Sequence, residues 1–156
     1  MRVLGVDFGQ RRIGLALSDA SATLARPWQT VAAGASPRES AAQVAALLKR
    51  LRDADGADAE EEASDIGLIV VGVPRRLNGS DNDQTQPARD FAVALGVSTG
   101  LVVKEQDERL SSHEADRLLA VGERDWRRRK AKLDAAAAAV ILQDYLDAHD
   151  RRGAQA

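Results

Sequence analysis

Three acidic residues lie where each could bring a carboxylate to one shared point. Asp7 ends the short apolar run 3–6, and aspartate is disfavoured inside strands. Glu108 follows a second apolar segment that begins at Leu101, and Asp134 opens the alanine-rich segment near the end of the chain. Each acid taken singly has a more ordinary explanation, as a turn residue, an ion-pair partner or a favourable charge at a helix N-terminus. The functional hypothesis therefore depends on whether the three converge.

Three carboxylates around one point repel each other, and a divalent cation relieves that repulsion. Mg²⁺ and Mn²⁺ favour ligand sets made of oxygen atoms. With two such ions roughly 3.5–4 Å apart, a phosphodiester is cut by in-line attack of an activated water. This chemistry needs no cysteine or histidine, and the chain has no cysteine and two histidines. We expect His113 and His149 to be surface residues, with His113 a minor candidate because it lies close to Glu108 in the sequence.

Length and composition indicate one soluble domain. The 156 residues are 44% hydrophobic and 29% charged, which is compatible with a buried core and argues against disorder. The absence of cysteine excludes disulfides and thiolate metal sites. No apolar stretch reaches membrane-spanning length, and the N-terminus lacks a signal-peptide pattern. We therefore expect a cytoplasmic protein with no membrane partner.

Basic residues are concentrated immediately before Asp134. The formal net charge is −2, so a nucleic-acid binder with this balance has to segregate its charges. Acidic residues gather elsewhere, from Asp53 to Asp65, and we interpret that stretch as a solvated, flexible connection. A solvated loop would be the ordinary explanation of the basic run too, but we favour nucleic-acid binding because the run adjoins Asp134. The run comprises Arg124, Arg127, Arg128, Arg129, Lys130 and Lys132, with Trp126 among them.

The elements that would position these acids begin with a β-hairpin. The first strand is predicted from Arg2 to Asp7, and the alternation of bulky and small residues over 13–18 predicts the second. A third strand is predicted within residues 23–31, with an irregularity or an edge position at Pro27. A capping box formed by Ser36 and Glu39 then predicts a helix.

Strands and helices alternate after this point. The near-continuous apolar run from Ile66 to Val73 predicts a buried central strand. Helical spacing predicts a second helix through Ala88 to Leu95, a short fifth strand begins at Leu101, a third helix begins at Ser111, and a last helix spans about residues 132–148. We expect one domain over residues 1–150 and a frayed tail over 151–156.

The predicted fold class is α/β, a mixed five-stranded sheet with helices on both faces. Its strands are antiparallel at the start and parallel later. Such sheets carry their sites at the carboxyl ends of strands, and Asp7 and Glu108 both fall there. Ile141 and Tyr145 share one helical face with Asp134, so Asp134 should point toward the sheet if they pack on it.

At these residues the chain resembles the YqgF/RuvX family, RNase H-like proteins described as Holliday junction resolvase-like or as pre-16S rRNA nucleases. The resemblance covers nearly the whole chain, and four blocks in the family's order carry it. The blocks are Val6 to Gly14 continued by Ser18-Asp19, Val70 to Pro74 with Gly79, Asp107 to Ser112, and Asp134 to Leu146.

The resemblance implies an RNase H-like nuclease domain whose catalytic and metal-binding acids are Asp7, Glu108 and Asp134. This agrees with the convergence that the spacing predicts, and it implies Mg²⁺ or Mn²⁺ as the cofactor. Gly9 and Gly14 would let the substrate or the metal approach the hairpin closely.

The resemblance also implies roles for arginines near the acids. Arg11, Arg12 and Arg109 would contact phosphates or hold the carboxylates in place, and structural pairing is an equally good interpretation of Arg109. Arg75 and Arg76 follow the central strand and could touch a nucleic-acid backbone.

These observations favour a divalent-metal-dependent endonuclease on structured nucleic acid, processing the 5′ end of pre-16S rRNA. The alternative substrate is branched DNA, as for a Holliday junction resolvase-like enzyme. Junction resolution normally needs a symmetric dimer, and because no dimer seam is evident we favour RNA and expect a monomer or a weak homodimer.

Two other classes of function stay open. The D-x-G-x-x-x-x-G pattern over residues 7–14 resembles the first phosphate loop of actin-like and sugar kinases, although one domain lacks the second half that those enzymes close on ATP. A non-catalytic module would use the basic run to bind a phosphate backbone. The 3% aromatic content argues against base stacking and favours recognition of shape or duplex backbone.

Overall fold

The computed structural model describes residues 1–53, 61–108 and 126–154, and for 61–62, 126–131 and 150–154 it describes the backbone alone. Within these ranges five strands alternate with helices. The strands are β1 (Arg2–Phe8), β2 (Arg12–Ser18), β3 (Ala25–Ala32), β4 (Ile66–Pro74) and β5 (Val102–Glu108), and the helices are α1 (Pro37–Asp53), the short α2 (Glu61–Ser64), α3 (Thr85–Thr99) and α4 (Trp126–Ala154).

The strands form one mixed sheet in the order β3-β2-β1-β4-β5. β1 pairs antiparallel with β2, and β2 pairs antiparallel with β3, while β4 is parallel to both β1 and β5. The predicted RNase H-like α/β arrangement is therefore confirmed. β3 is an edge strand whose pairing with β2 shifts register beside Pro27, as expected for a residue that cannot donate to the ladder.

Helices cover both faces of the sheet. On one face, buried side chains such as Leu4, Ile13 and Val71 pack against α1 and α3. On the other face, Val3 and Val70 belong to a second buried cluster with residues of α4. The central strands are apolar on both sides because both sides are covered.

Local signals set the start of α1. The Glu39 N–H donates to Ser36 Oγ at 3.1 Å, and the Glu39 carboxylate accepts from the Ala35 N–H at 2.9 Å. One N–H that the helix itself leaves unpaired, that of Glu39, is thus satisfied by Ser36, and the Glu39 side chain satisfies the N–H of Ala35 just before the helix.

Two segments are more helical than the sequence predicts. The prediction of a flexible connection from Asp53 to Asp65 is wrong at both ends, because α1 continues through Asp53 and residues 61–64 form a helical turn. Helix α4 begins at Trp126 and continues to Ala154, longer at both ends than the predicted 132–148. Arginine, lysine and alanine all favour helix, and the apolar spacing used for the prediction starts later than the helix does. The predicted helix from Ser111 lies outside the described residues.

None of the helices in the described ranges combines the length and apolarity that crossing a bilayer requires.

Helix α4 packs with its main chain close against the sheet because glycines leave room for it. A Cβ placed on Gly5 would lie 2.6 Å from Leu142 Cβ and 3.0 Å from the Ala138 carbonyl oxygen. A Cβ on Gly14 would overlap the main-chain carbonyl of Asp134. The depth of this helix on the sheet is therefore set by the bare backbone of β1 and β2.

We predict that Gly14→Ala destabilises the protein by about 1–3 kcal/mol, because the added methyl group meets backbone atoms of α4 rather than a flexible side chain. Urea denaturation measures this change. The matched control is Gly96→Ala in α3, where the new Cβ would make an ordinary contact with Val103 Cγ2 at 3.5 Å. That variant should gain about 0.5–1 kcal/mol from helix propensity. Equal stability of Gly14→Ala and the wild type would contradict this account of α4.

Candidate active site

Asp7 lies on β1 between two glycine positions of the neighbouring strands. It pairs with Gly14 of β2, and on β4 Gly72 directly follows Val71, the partner of Val6. Asp7 belongs to the face of β1 that α4 covers, since Gly5, two residues earlier, meets that helix. Gly14, Asp7 and Gly72 therefore form a strip across β2, β1 and β4 in which only Asp7 has a side chain.

Glu108 reaches this strip from β5. It is the last residue of that strand and pairs with Pro74. A Cβ on Gly72 would lie 2.9 Å from Glu108 Oε2, so the carboxylate extends over the bare backbone of β4 in the direction of β1. Glycine at position 72 leaves the space that this carboxylate occupies.

Asp134 reaches the strip from α4. Its main-chain carbonyl lies on Gly14, directly across from Asp7. Ala138, Ile141 and Tyr145 are buried on the same side of the helix. The prediction that this face packs on the sheet and turns Asp134 toward it is confirmed.

The electrostatics of Asp7 show that Glu108 and Asp134 both act on its carboxyl group. Removal of the side chain from water raises the pKa of Asp7 well above its usual value, and the negative charges of Glu108 and Asp134 raise it further. Desolvation and like charges both disfavour the ionised form of a carboxyl group. An ionised Asp7 therefore needs a compensating positive charge.

Arg12 pairs with Asp134, one of the two acids whose charges act on Asp7. Its Nε donates to Asp134 Oδ2 at 2.6 Å, and the two side chains are 36% and 26% exposed. This is one of the two alternatives that the resemblance implied for Arg12, the holding of a carboxylate. A charge-assisted bond of this length fixes the orientation of the Asp134 side chain.

In this conformation the acids do not yet form a complete cation site. Over the described ranges, no group of three or more aspartate, glutamate or histidine side chains is arranged to hold a metal ion. The guanidinium of Arg12 occupies one oxygen of Asp134, and mutual repulsion opposes closer approach of the carboxylates.

The other residues predicted for the site are distributed around it. Arg11 is exposed and lines a cavity beside Asp134. Lys132 is exposed and lines a separate groove with Trp28, between β3 and α4. Arg109 and His113 fall outside the described residues, as do the side chains of Arg127, Arg128, Arg129 and Lys130.

Two further candidates, Arg75 and Arg76, and the histidine expected at the surface lie in other surroundings. Arg75 Nη1 lies 3.7 Å from a carboxylate oxygen of Asp81, and Arg76 is exposed. His149 is exposed, as predicted, and its ring stacks on Tyr145 with the centroids 3.8 Å apart.

The expectation that Gly14 lets a substrate or a metal approach is wrong, and the same expectation for Gly9 stays a prediction. The bare face of Gly14 is covered by the α4 main chain, so it admits a helix rather than a substrate. A Cβ on Gly9 would lie 2.5 Å from the Arg12 carbonyl oxygen, which ties this glycine to the hairpin turn.

Sequence reasoning missed the functional importance of Gly72. An isolated glycine inside a strand signals a close approach by another group, and that signal was present within the apolar run 66–73. It also missed Gln84, which lines the cavity beside Asp134 and has no local sequence signal.

We predict that the metal-free wild-type protein loses stability relative to Asp7→Asn as the pH rises. Between about 3.9, the unfolded-state pKa of aspartate, and the raised folded-state pKa, the folded state binds more protons at Asp7 than the unfolded state does. Its free energy of unfolding therefore falls with pH in that window. Asp7→Asn has no proton to lose, so in EDTA at neutral pH it should unfold at a higher urea concentration than the wild type.

The difference between the two proteins should shrink as the pH approaches about 3.9. Asp147→Asn, an exposed position on α4, is the control and should follow the wild type. A wild-type protein that is more stable than Asp7→Asn at neutral pH in EDTA would contradict the repulsion described for this site.

The chain matches known proteins over nearly its whole length. The family model described as "RuvX: Holliday junction resolvase" matches residues 1–148. A relative from Pelotomaculum thermopropionicum, named "Putative pre-16S rRNA nuclease", is 34% identical over 151 residues, which cover 97% of this chain and 90% of that protein. A relative of the same name from an Anaeromyxobacter species is 39% identical over 147 residues, which cover 94% of this chain and 97% of that protein.

Among solved structures, T. thermophilus RuvC in complex with a Holliday junction substrate aligns with a TM-score of 0.49 and 19% identity, over 96% of this chain and 95% of that one. The family match and the two relatives each extend over more than nine-tenths of this chain. The chain therefore belongs to the RuvX family, a family of nucleases.

Proposed function

We propose that this protein is a divalent-metal-dependent endonuclease that matures the 5′ end of pre-16S rRNA. The observation that carries the proposal is that Glu108 and Asp134 approach Asp7 from either side, over Gly72 and Gly14, at the carboxyl end of the sheet, and that their charges act on its carboxyl group. The relatives named as pre-16S rRNA nucleases support an RNA substrate.

The donor set fits Mg²⁺ or Mn²⁺. The three side chains offer only oxygen atoms, which these ions prefer. Burial and then the negative charges of Glu108 and Asp134 raise the pKa of Asp7, and a bound cation would favour its ionised form. When bound, such an ion supplies an activated water and stabilises charge on the leaving oxygen. In this proposal Asp7, Glu108 and Asp134 hold the metal and are the catalytic residues.

Arg12 has a second role in this proposal. Asp134 can give both its oxygens to an ion only after the 2.6 Å bond to Arg12 has opened. The released guanidinium is then available for a phosphate oxygen, which it binds in the same bidentate manner as a carboxylate. In this proposal Arg12 thus leaves the Asp134 carboxylate and binds a phosphate of the substrate when metal and substrate enter the site.

The basic run is proposed to bind the nucleic-acid backbone at positions distant from the bond that is cut. Residues 126–132 are helical, and Lys132 lies two residues from Asp134 on the same helix. Arg127, Arg128, Arg129 and Lys130 precede it in α4, and Arg109 directly follows Glu108 in the sequence. Backbone contacts of this kind add affinity and salt dependence without reading sequence.

The alternative substrate is a branched DNA junction, which the description of the family favours. Cutting two strands across a junction calls for a two-fold symmetric dimer. We propose a monomer or weak dimer acting on RNA in the cytoplasm, and side-by-side assays on the two substrates distinguish these alternatives.

We predict that the purified protein with Mn²⁺ cuts a labelled precursor RNA spanning the 5′ end of 16S rRNA faster than it cuts a four-way DNA junction. Asp7→Asn, Glu108→Gln and Asp134→Asn should each lower the rate by at least about 100-fold, because each removes charge that the transition state needs.

Glu105→Gln is the matched control for Glu108→Gln. Glu105 lies on β5 and is exposed, and its Oε1 is 3.8 Å from Arg89 Nε. It is on the face of the strand opposite to Glu108. It should retain the wild-type rate. An Asp7→Asn protein that cuts as fast as the wild type would refute the metal-dependent mechanism, and faster cutting of the junction would make DNA the substrate.

A further inference from the structure

A cavity of about 370 Å³ opens beside Asp134, where the β1–β2 turn faces the start of α3. It is lined by Gly9, Gln10, Arg11, Arg12, Gln84 and Asp134. The roles given above to Arg12 and Asp134 do not account for the other polar side chains that converge here. The cavity is open to solvent and its lining is largely polar, so the ligand it suits is a charged, hydrated group rather than an apolar one.

The lining of the cavity offers hydrogen-bond donors and positive charge. Arg12 is offset by Asp134 at 2.6 Å, but no carboxylate of the described residues lies within ion-pair distance of Arg11. Gln84 stands at the N-cap of α3, and its side chain makes no capping bond with the helix. An arginine and two carboxamides, those of Gln10 and Gln84, suit phosphate oxygens and sugar hydroxyl groups.

The position of Gln84 is fixed relative to the acids. The buried hydroxyl of Thr85 donates to the Pro74 carbonyl oxygen at 2.6 Å and accepts from the Asn82 N–H at 2.9 Å. Pro74 pairs with Glu108 on the adjacent strand. The start of α3 is therefore tied to the end of β4, next to the strand that carries Glu108.

We propose that this cavity is a subsite for a backbone phosphate and its sugar, on the nucleotide next to the bond that is cut, with Arg11 and Gln84 as the contacts. The proposal rests on the proposed function, since it assigns the cavity to the same strand of nucleic acid. Because Asp134 forms one wall, a strand whose reacting phosphate lies at the acids continues directly into the cavity. Gln84 is then a substrate-binding residue.

The test is a binding measurement in an Asp7→Asn background, so that the probe is not cut. The probe is a fluorescein-labelled RNA duplex with a single-stranded 5′ extension, and its Kd is measured by anisotropy in Mg²⁺. Adding Gln84→Ala should raise Kd about fivefold, the effect of losing one hydrogen bond. Adding Arg11→Ala should raise Kd more and lower the slope of log Kd against log salt by roughly one.

The chain offers a matched control for each change. Gln86→Ala alters the same residue type two positions away on α3, where the side chain donates to Asp90 and does not line the cavity. Arg38→Ala removes an exposed arginine from the first turn of α1. Both should leave Kd unchanged, and all variants should keep the parent melting temperature.

The outcomes distinguish a failure of the proposed subsite from a failure of the proposed function. If Gln84→Ala binds as tightly as its parent, or no more weakly than Gln86→Ala, the subsite is refuted even when the wild-type protein cuts RNA. If Gln84→Ala weakens binding while the wild type cuts neither RNA nor DNA junctions, the cavity is supported only as a contact for nucleic acid, and both the proposed endonuclease and the placement of the subsite beside a cleaved bond are refuted.

Discussion

The repulsion among three carboxylates on a partly buried strip of the sheet is the constraint on which the site depends. Asp7 is raised in pKa by burial and by both neighbours, and a buried charge is unfavourable unless it is compensated. Arg12 pairs with a different member of the cluster, Asp134, at 2.6 Å. The described part of the chain thus holds a cluster of negative charge in which one acid is paired with a guanidinium. A cation that binds to such a cluster stabilises the folded protein.

The same residues that hold the fold together also create this cluster. Glycine at position 14 lets α4 approach the sheet until its main chain touches β2. That contact fixes the position of the Asp134 backbone on the sheet. Glycine at position 72 leaves space for Glu108 over β4. Packing and chemistry are therefore not separable along this strip, since a side chain large enough to fill it would displace a helix or a carboxylate.

The sequence predicts those parts of the structure that follow from local patterns. Strand alternation, the capping box at Ser36 and the apolar run from Ile66 each depend on neighbours in the chain, and the structure confirms them. The inward direction of Asp134 was also predictable, because helical spacing relates it to Ile141 and Tyr145. The early start of α4 was not, because arginine and lysine favour a helix without marking which face of it is buried.

The parts of the site that the sequence could not predict are contacts between distant segments. Arg12 and Asp134 are 122 positions apart, and nothing near either residue indicates that they pair. The cavity at Gln84 exists because the start of α3 is tied to the end of β4 and so faces the β1–β2 turn, which no local pattern encodes. The nucleic-acid roles of Arg11, Arg109 and the basic run remain predictions that depend on the family resemblance and on charge.

The most direct test of the central claim, that the three carboxylates share a cation, is the anomalous scattering of crystals grown with Mn²⁺. The account predicts a peak coordinated by oxygens of Asp7, Glu108 and Asp134, with Arg12 turned away from Asp134. A peak that lacks Asp7, or density that leaves the Arg12–Asp134 bond closed at saturating Mn²⁺, would contradict it.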